Sequence, residues 1–172
     1  MENTANKFNG QPFKFEIKKI EDEFELVQEA LTLANKVFME FEAPEYSAEG
    51  IEEFQTFTSW DNIASMIDNK EIMFWCCLDQ NKVVGVIASK KPCHISLLFV
   101  DKEYHRKKIA KNLYQAVTTY YLNHSNHNEV TVNSSPYAVE VYKKLGFVVT
   151  DNEQLTNGIR YTPMKHRLGR KA

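Results

Sequence analysis

The chain has few of the residues that mark special architectures. It carries three cysteines in 172 residues, two of them adjacent at Cys76 and Cys77. These supply neither a disulfide framework nor a metal-ligand spacing, and no metal is called for. Reduced thiols and a cytoplasmic location are the simplest expectation. The six glycines form no G-x-G-x-x-G fingerprint and no Walker loop, which sets aside two glycine-built nucleotide sites. No run approaches the roughly 18 apolar residues of a membrane helix. The opening MENTANKFNGQ lacks an apolar core, so no secretory signal is expected there. The basic residues form no long arm, zinc motif or RNP-like run, and a nucleic-acid partner is not expected.

What is present fits an ordinary globule, with 43% hydrophobic and 26% charged residues. Residues 1–172 read as one domain with room for a full core, with 1–11 and 167–172 loose. The net charge of −2 hides an asymmetry. Residues 1–70 carry fifteen acidic and six basic side chains, and residues 71–172 carry eight and fifteen. Such a split can serve an anionic ligand on one part and a cationic one on the other, or hold two copies together in a dimer.

The stretch HISLLFVDKEYHRKKIAKNLYQAVTTYYL, His94 to Leu122, organises the rest. His94 to Val100 suits a buried strand. Asp101 to Lys108 is a charged turn. Ile109, Leu113, Val117 and Tyr120, with Ala116 beside them, then mark one face of a helix. A strand feeding a helix through a basic turn can hold an anion, because the first helical amides lack internal partners. Lys102, Arg106, Lys107, Lys108 and Lys111 surround that place. Each cation there is locally unfavourable by about 0.3–1 kcal/mol, so a bound anion or simple tolerance must account for them.

Around this stretch, Phe13 to Lys18 alternates like a strand. Asp22 is placed to cap a helix whose stripe is Phe24, Val27, Leu31, Ala34 and Phe38, ending near Glu42 before Pro44. Ser47 to Gly50 starts a second helix carrying Phe54 and Phe57 inward, and Trp60 to Ile67 a third. Ile72 to Leu78 and Val83 to Ser89 read as a hairpin about Asp79–Lys82, with Gly85 a bulge or a close approach. Val130 to Asn133 is a short strand and Tyr137 to Leu145 a short helix ended by Gly146. Phe147 to Thr150 and Ile159 to Lys165 are closing strands joined by a turn at Thr156–Gly158, and the tail HRLGRKA is loose. The order predicts a mixed, mostly antiparallel α/β sheet with helices on both faces.

From Phe13 to Lys165 the chain resembles the GCN5-related N-acetyltransferases, the GNAT family, and so implies an acyl-CoA N-acyltransferase fold. LLFVDKEYHRKKIAKNLYQAV is similar to the family's acetyl-CoA loop and helix. The family motif Gln/Arg-x-x-Gly-x-Gly/Ala is matched as His105-x-x-Lys108-x-Ala110, with His105 and Lys108 departing from it. VNSSPYAVEVYKKLGF, Val132 to Phe147, resembles the next strand and helix closely. The resemblance implies acetyl-CoA as cosubstrate, held by Phe99, Val100, His105, Arg106, Lys107, Lys108, Ile109, Ala110, Lys111 and Asn133. It implies direct attack of a small-molecule or peptide primary amine on the thioester. The main-chain N–H of Val100 or Phe99 would meet the carbonyl oxygen, and Tyr142 would protonate the leaving thiolate.

His94 is the candidate base, since its reference pKa suits the work. Glu40, Glu42 and Glu45 stand at the helix junction where the family admits its substrate, and can attract a cationic amine. A homodimer is consistent with the family, with no seam legible here. A second class fits the same fold: a catalytically silent acyl-CoA-binding sensor or scaffold. The lysine at position 108 favours it, and the intact Asn133 and Tyr142 argue against it.

Overall fold

A computed structural model describes residues 7–8 and 11–169. Of the segments expected to be loose, residues 1–6, 9–10 and 170–172 lie outside the described residues. Strands β1 (Lys7–Phe8) and β2 (Gln11–Pro12) pair as a small ribbon. The main sheet contains β3 (Glu16–Ile20), β4 (Ile72–Asp79), β5 (Lys82–Lys90), β6 (His94–Val100), β7 (Glu129–Ser134), β8 (Val148–Val149), β9 (Gln154–Thr156) and β10 (Ile159–Arg167). Its order is β3-β4-β5-β6-β7-β10-β8, with β9 paired to β10. All neighbours are antiparallel except β6 and β7.

Two apolar layers sandwich this sheet, because its central strands are apolar on both sides. Helices α1 (Phe24–Val37), α2 (Ala48–Phe57) and α3 (Trp60–Asp68) cover one face through Leu31, Val37, Phe54 and Ile63. Helices α4 (Ile109–His124) and α5 (Val139–Lys144) cover the other through Ile109, Leu113, Val117 and Tyr142. The adjacent Cys76 and Cys77 follow strand alternation, one into each layer, and both are buried free thiols.

Tertiary packing shifts several local expectations. The strand expected from Phe13 begins at Glu16, as β3; Phe13 and Phe15 instead form an edge-to-face chain with Tyr104. Asp22 does not cap α1. Glu23 holds the cap position without a capping bond, its carboxylate engaged by Lys18 at 2.6 Å and by the Glu21 amide at 3.1 Å. Phe24, placed on the buried stripe, is 45% exposed at the helix start. On α4 the stripe closes at Tyr121, whose hydroxyl meets Ser89 at 2.8 Å, while Tyr120 is only half-buried. The turn at Asn157–Gly158 joins β9 to β10, a strand too short to be legible. The tail does not come loose at Arg167: β10 includes it, and Leu168 is buried with its amide on the Asn128 carbonyl at 2.6 Å.

Two glycines fix the wall nearest the cleft. Ser47 caps α2 through the Gly50 amide at 3.3 Å. A Cβ on Gly50 would lie 2.3 Å from the Gly158 carbonyl oxygen, and one on Gly158 would lie 2.4 Å from the Gly50 nitrogen. Backbone meets backbone there, so α2 docks on the β9–β10 hairpin only without side chains. Gly50→Ala is expected to cost about 1–3 kcal/mol, the range for overpacking. Urea unfolding checks this: the midpoint falls while the slope stays the same.

Candidate active site

The site begins where two strands part. β6 and β7 are paired only at His94–Thr131 and Ile95–Val132. At the next residue β6 carries a bulge: Ala88 faces Leu97 and Ser89 faces Ile95, leaving Ser96 as the extra residue. Simple alternation puts Ile95 and Leu97 on one face, but the bulge sends Ile95 to the α4 layer and Leu97 to the α1 layer. The extra residue also turns β6 away from β7, and a cleft opens between them.

Register then decides which amides line the gap. The Asp101 amide bonds to the Val84 carbonyl at 2.9 Å, so the facing pair Val100–Gly85 exchanges no bonds. The N–H and C=O of Val100, and by alternation those of Leu98, therefore point away from β5 into the cleft. Phe99 points its own back to β5. His105 corroborates this, with Nε2 donating to the Val100 carbonyl at 3.0 Å. Neither the Leu98 nor the Val100 amide has a backbone partner among the described residues.

Two chambers fill the cleft. The larger, about 530 Å³, is bounded by Val100, Tyr104 and the turn before α4, and by Tyr137, Val141 and Tyr142 opposite. Phe99, His105, Arg106, Lys108, Ile109, Ala110 and Lys111 all line it, whereas Lys107 does not. Lys144 adds another cation. The smaller chamber, about 160 Å³, is bounded by Phe38, Tyr46, Phe54, Phe57, Ser96 and Asn133 among others. Glu42, Leu98, Phe99, Ala138 and Tyr142 belong to both, and so mark the junction.

The turn before α4 has an unusual backbone. Arg106 has φ of 61° and Lys108, the residue before the helix, has φ of 59° and ψ of 23°. Both are left-handed, a conformation that costs a side-chain-bearing residue about 1–2 kcal/mol. Burial of Ile109, Leu113 and Val117, each worth about 1.5–3 kcal/mol, outweighs that cost and anchors the helix. Buried Asn112 adds two bonds to the Lys108 carbonyl, from its amide at 3.0 Å and its side chain at 2.8 Å. The result directs the free amides of Ile109, Ala110 and Lys111 at the larger chamber. The motif marked a departure at Lys108, where the family has glycine, and gave no sign of the left-handed backbone at Arg106.

Glu42 is positioned by a widened helix end. From Phe38 to Glu42 the chain is a π-helix, with the Ala43 amide reaching back to the Phe38 carbonyl. Pro44 has no N–H to continue an ordinary ladder. Glu42 accepts a bond from Ser135 Oγ at 2.8 Å across the cleft. Burial pushes its carboxyl up to about 7, outweighing that hydrogen bond. Burial, then the Glu42 and Tyr114 neighbours, hold the Tyr142 hydroxyl far above the usual phenol range. That hydroxyl makes no hydrogen bond among the described residues, although the side chain is 6% exposed and lies at the junction. Tyr46, whose hydroxyl donates to the Arg160 carbonyl at 3.2 Å, closes the same corner.

Other candidates fall elsewhere. His94, expected as the base, lines neither chamber. It precedes the bulge, where the strands are still paired, and its Nδ1 meets Thr131 Oγ1 at 2.8 Å. Burial, with Lys90 nearby, lowers its pKa. Glu40 pairs with Lys102 at 3.0 Å, and Glu45 with Arg160 at 3.2 Å; neither lines a chamber. Asn133 is exposed on the β7 edge of the smaller chamber. Missing from the sequence reading were Ser135, Tyr46 and the bulge; a lone serine in an apolar strand was the available signal for the last.

The environments of Lys108 and Glu42 each set an outcome in stability. Lys108→Gly is expected to raise stability by about 0.5–1 kcal/mol, since glycine adopts the left-handed turn freely at some entropic cost; thermal unfolding reads it. Glu42 is protonated more readily folded than unfolded. Its contribution is therefore complete below the unfolded pKa near 4.5 and is lost as pH rises through about 7. Wild type should lose stability relative to Glu42→Gln between pH 5 and pH 8.5, measured by urea unfolding.

Comparison with known proteins agrees with this geometry. A family model described as an acetyltransferase (GNAT) domain matches residues 42–168. No curated protein matches the chain significantly. Among solved structures, a GCN5-related N-acetyltransferase from Rhodopseudomonas palustris superposes with a TM-score of 0.73 at 19% identity, covering 89% of this chain and 95% of that one. The PaiA N-acetyltransferase from Thermoplasma acidophilum, in complex with coenzyme A, gives 0.71 at 22% identity, over 90% and 99%. An aminoglycoside 6'-N-acetyltransferase complexed with coenzyme A gives 0.62 at 14% identity, over 91% and 99%. Among the described residues no helix is long and apolar enough to cross a membrane, and no cluster of metal-ligating side chains occurs.

Proposed function

The chain belongs to the GNAT acetyltransferase family, and on that premise we propose that it transfers an acetyl group from acetyl-CoA to a primary amine. The observation that carries this is the junction, where a free main-chain amide, a buried phenol and a half-buried carboxyl group meet between a cationic chamber and an aromatic one. The larger chamber fits the cosubstrate. Its cations and helix-start amides suit a pyrophosphate, and its apolar wall at Val141, Ala138 and Leu98 suits a neutral arm. Arg106, Lys108 and Lys111 hold the phosphates, with Lys108 supplying a point charge where the family has glycine. Asn133 stands on the β7 edge to take an amide of the arm.

Acetyl-CoA supplies an activated acyl group whose transfer to nitrogen releases a thiolate. The Val100 N–H points into the cleft and stabilises charge that gathers on the carbonyl oxygen. His105 occupies the adjacent Val100 carbonyl, so an acceptor that would repel that oxygen is neutralised. Glu42 takes the proton from the amine. Burial that raises a carboxyl lowers an ammonium, which narrows the difference between them. Tyr142 gives its proton to sulfur. Burial that raises the phenol raises a thiol as well, as at Cys93 in the same apolar layer, and the proton need move only as charge develops on sulfur.

Titration calorimetry and thiol release test the assignment together. Tyr142→Phe is expected to keep acetyl-CoA affinity while turnover falls about 100-fold or more, the scale of general acid catalysis. Undiminished turnover in Tyr142→Phe removes it as the acid. Acetyl-CoA binding without turnover of any amine would support the silent-sensor alternative.

A further inference from the structure

The dimensions and walls of the smaller chamber bear on the acceptor, given the transferase reading on which this inference rests. The chamber holds about 160 Å³, and a cavity of about 150 Å³ accepts one benzene-sized body. Its walls are aromatic and aliphatic: Phe38 stacks on Phe54 with centroids 3.8 Å apart, and Phe99 meets Phe54 edge to face. Glu42 is the one acidic side chain among its lining residues.

The other carboxylates nearby are spent. Arg160 binds Glu45 at 3.2 Å and Glu153 at 3.1 Å, and Lys102 binds Glu40 at 3.0 Å. A polyamine or an aminoglycoside would bring several ammonium groups to a chamber with one carboxylate, and burying each unpaired charge is costly. One amine on a hydrocarbon body matches the supply.

The chamber wall also carries an unpartnered polar atom. Ser96 Oγ is the only buried side-chain nitrogen or oxygen without a hydrogen-bond partner among the described residues. It sits at the bulge, on the chamber wall, two and three positions before Leu98 and Phe99 at the junction. Along an extended strand that is roughly 7–10 Å, comparable to the length of an aminoethyl-phenol. A buried hydroxyl left unpaired is unfavourable and is relieved by a ligand that pairs with it.

The geometry points to a small aromatic monoamine as the acceptor: its ammonium meets Glu42 at the junction, its ring lies among Phe38, Phe54 and Phe99, and a hydroxyl at its far end bonds Ser96. Ser96 is then a specificity-determining residue that touches the substrate.

The experiment measures kcat/KM by thiol release, at saturating acetyl-CoA, for tyramine, phenethylamine, spermidine, kanamycin and a lysyl peptide. Tyramine should exceed spermidine, kanamycin and the peptide by about 100-fold, and phenethylamine by about tenfold, the worth of one buried hydrogen bond. In Ser96→Ala the tyramine-to-phenethylamine ratio should fall to about one. Equal or better turnover of spermidine, kanamycin or the peptide overturns the inference and leaves the transferase reading standing. A tyramine preference that survives Ser96→Ala overturns the role of Ser96. Acetyl-CoA binding by calorimetry with no thiol released by any amine overturns the transferase reading and this inference with it.

Discussion

The separation of β6 from β7 is the constraint on which the rest depends. Two paired residues hold the strands together, and one extra residue at Ser96 forces them apart. A continuous ladder would spend the Leu98 and Val100 amides on β7 and leave no room between the layers. The parted strands give both chambers a common edge. They also make the helices on either side, α1 with its π-turn and α5, the opposite walls of one cleft. The cost is backbone hydrogen bonding forgone in the middle of a sheet. The pairings of β4, β5, β7 and β10 around the gap carry the structural load.

Electrostatics divides the cleft in the same way. The acidic first part of the chain supplies Glu42, and the basic second part supplies Arg106, Lys108, Lys111 and Lys144. The two signs therefore meet in one cleft, the cations in the larger chamber and Glu42 at the junction. Glu40, Glu45 and Asp101, which line neither chamber, are each paired with a cation. Burial, rather than a neighbouring charge, is the first cause of the high pKa at both Glu42 and Tyr142. Both groups stay protonated at a higher pH than they would in water, and in the proposed transfer each stands where a proton has to move.

The fold was legible because its signals are local and periodic. The strand-turn-helix at His94 to Leu122, the hairpin at Asp79 to Lys82 and the glycine at Gly146 lie where alternation and turn chemistry put them. The larger chamber was legible for the same reason, since most of its cationic wall is contiguous in sequence. His94 lies outside both chambers, because strand parity says which face a side chain takes and not how far along the strand the cleft opens. Glu42 could not be separated from Glu40 and Glu45, because the π-helix that turns it inward leaves little trace beyond Pro44. Ser135 and Tyr46 reach the junction through long-range contacts that no spacing encodes. The missed β9 is three residues held by a neighbour rather than by its own propensity.

The central claim is that the Val100 amide is held free to meet an acyl carbonyl. Residue-resolved amide hydrogen exchange tests it most directly, with and without acetyl-CoA. In the free protein Val100 should exchange much faster than Phe99, which is paired to β5, and it should become protected when acetyl-CoA is added. Equal protection of Val100 and Phe99 in the free protein, or no change at Val100 on saturation with acetyl-CoA, would contradict the account.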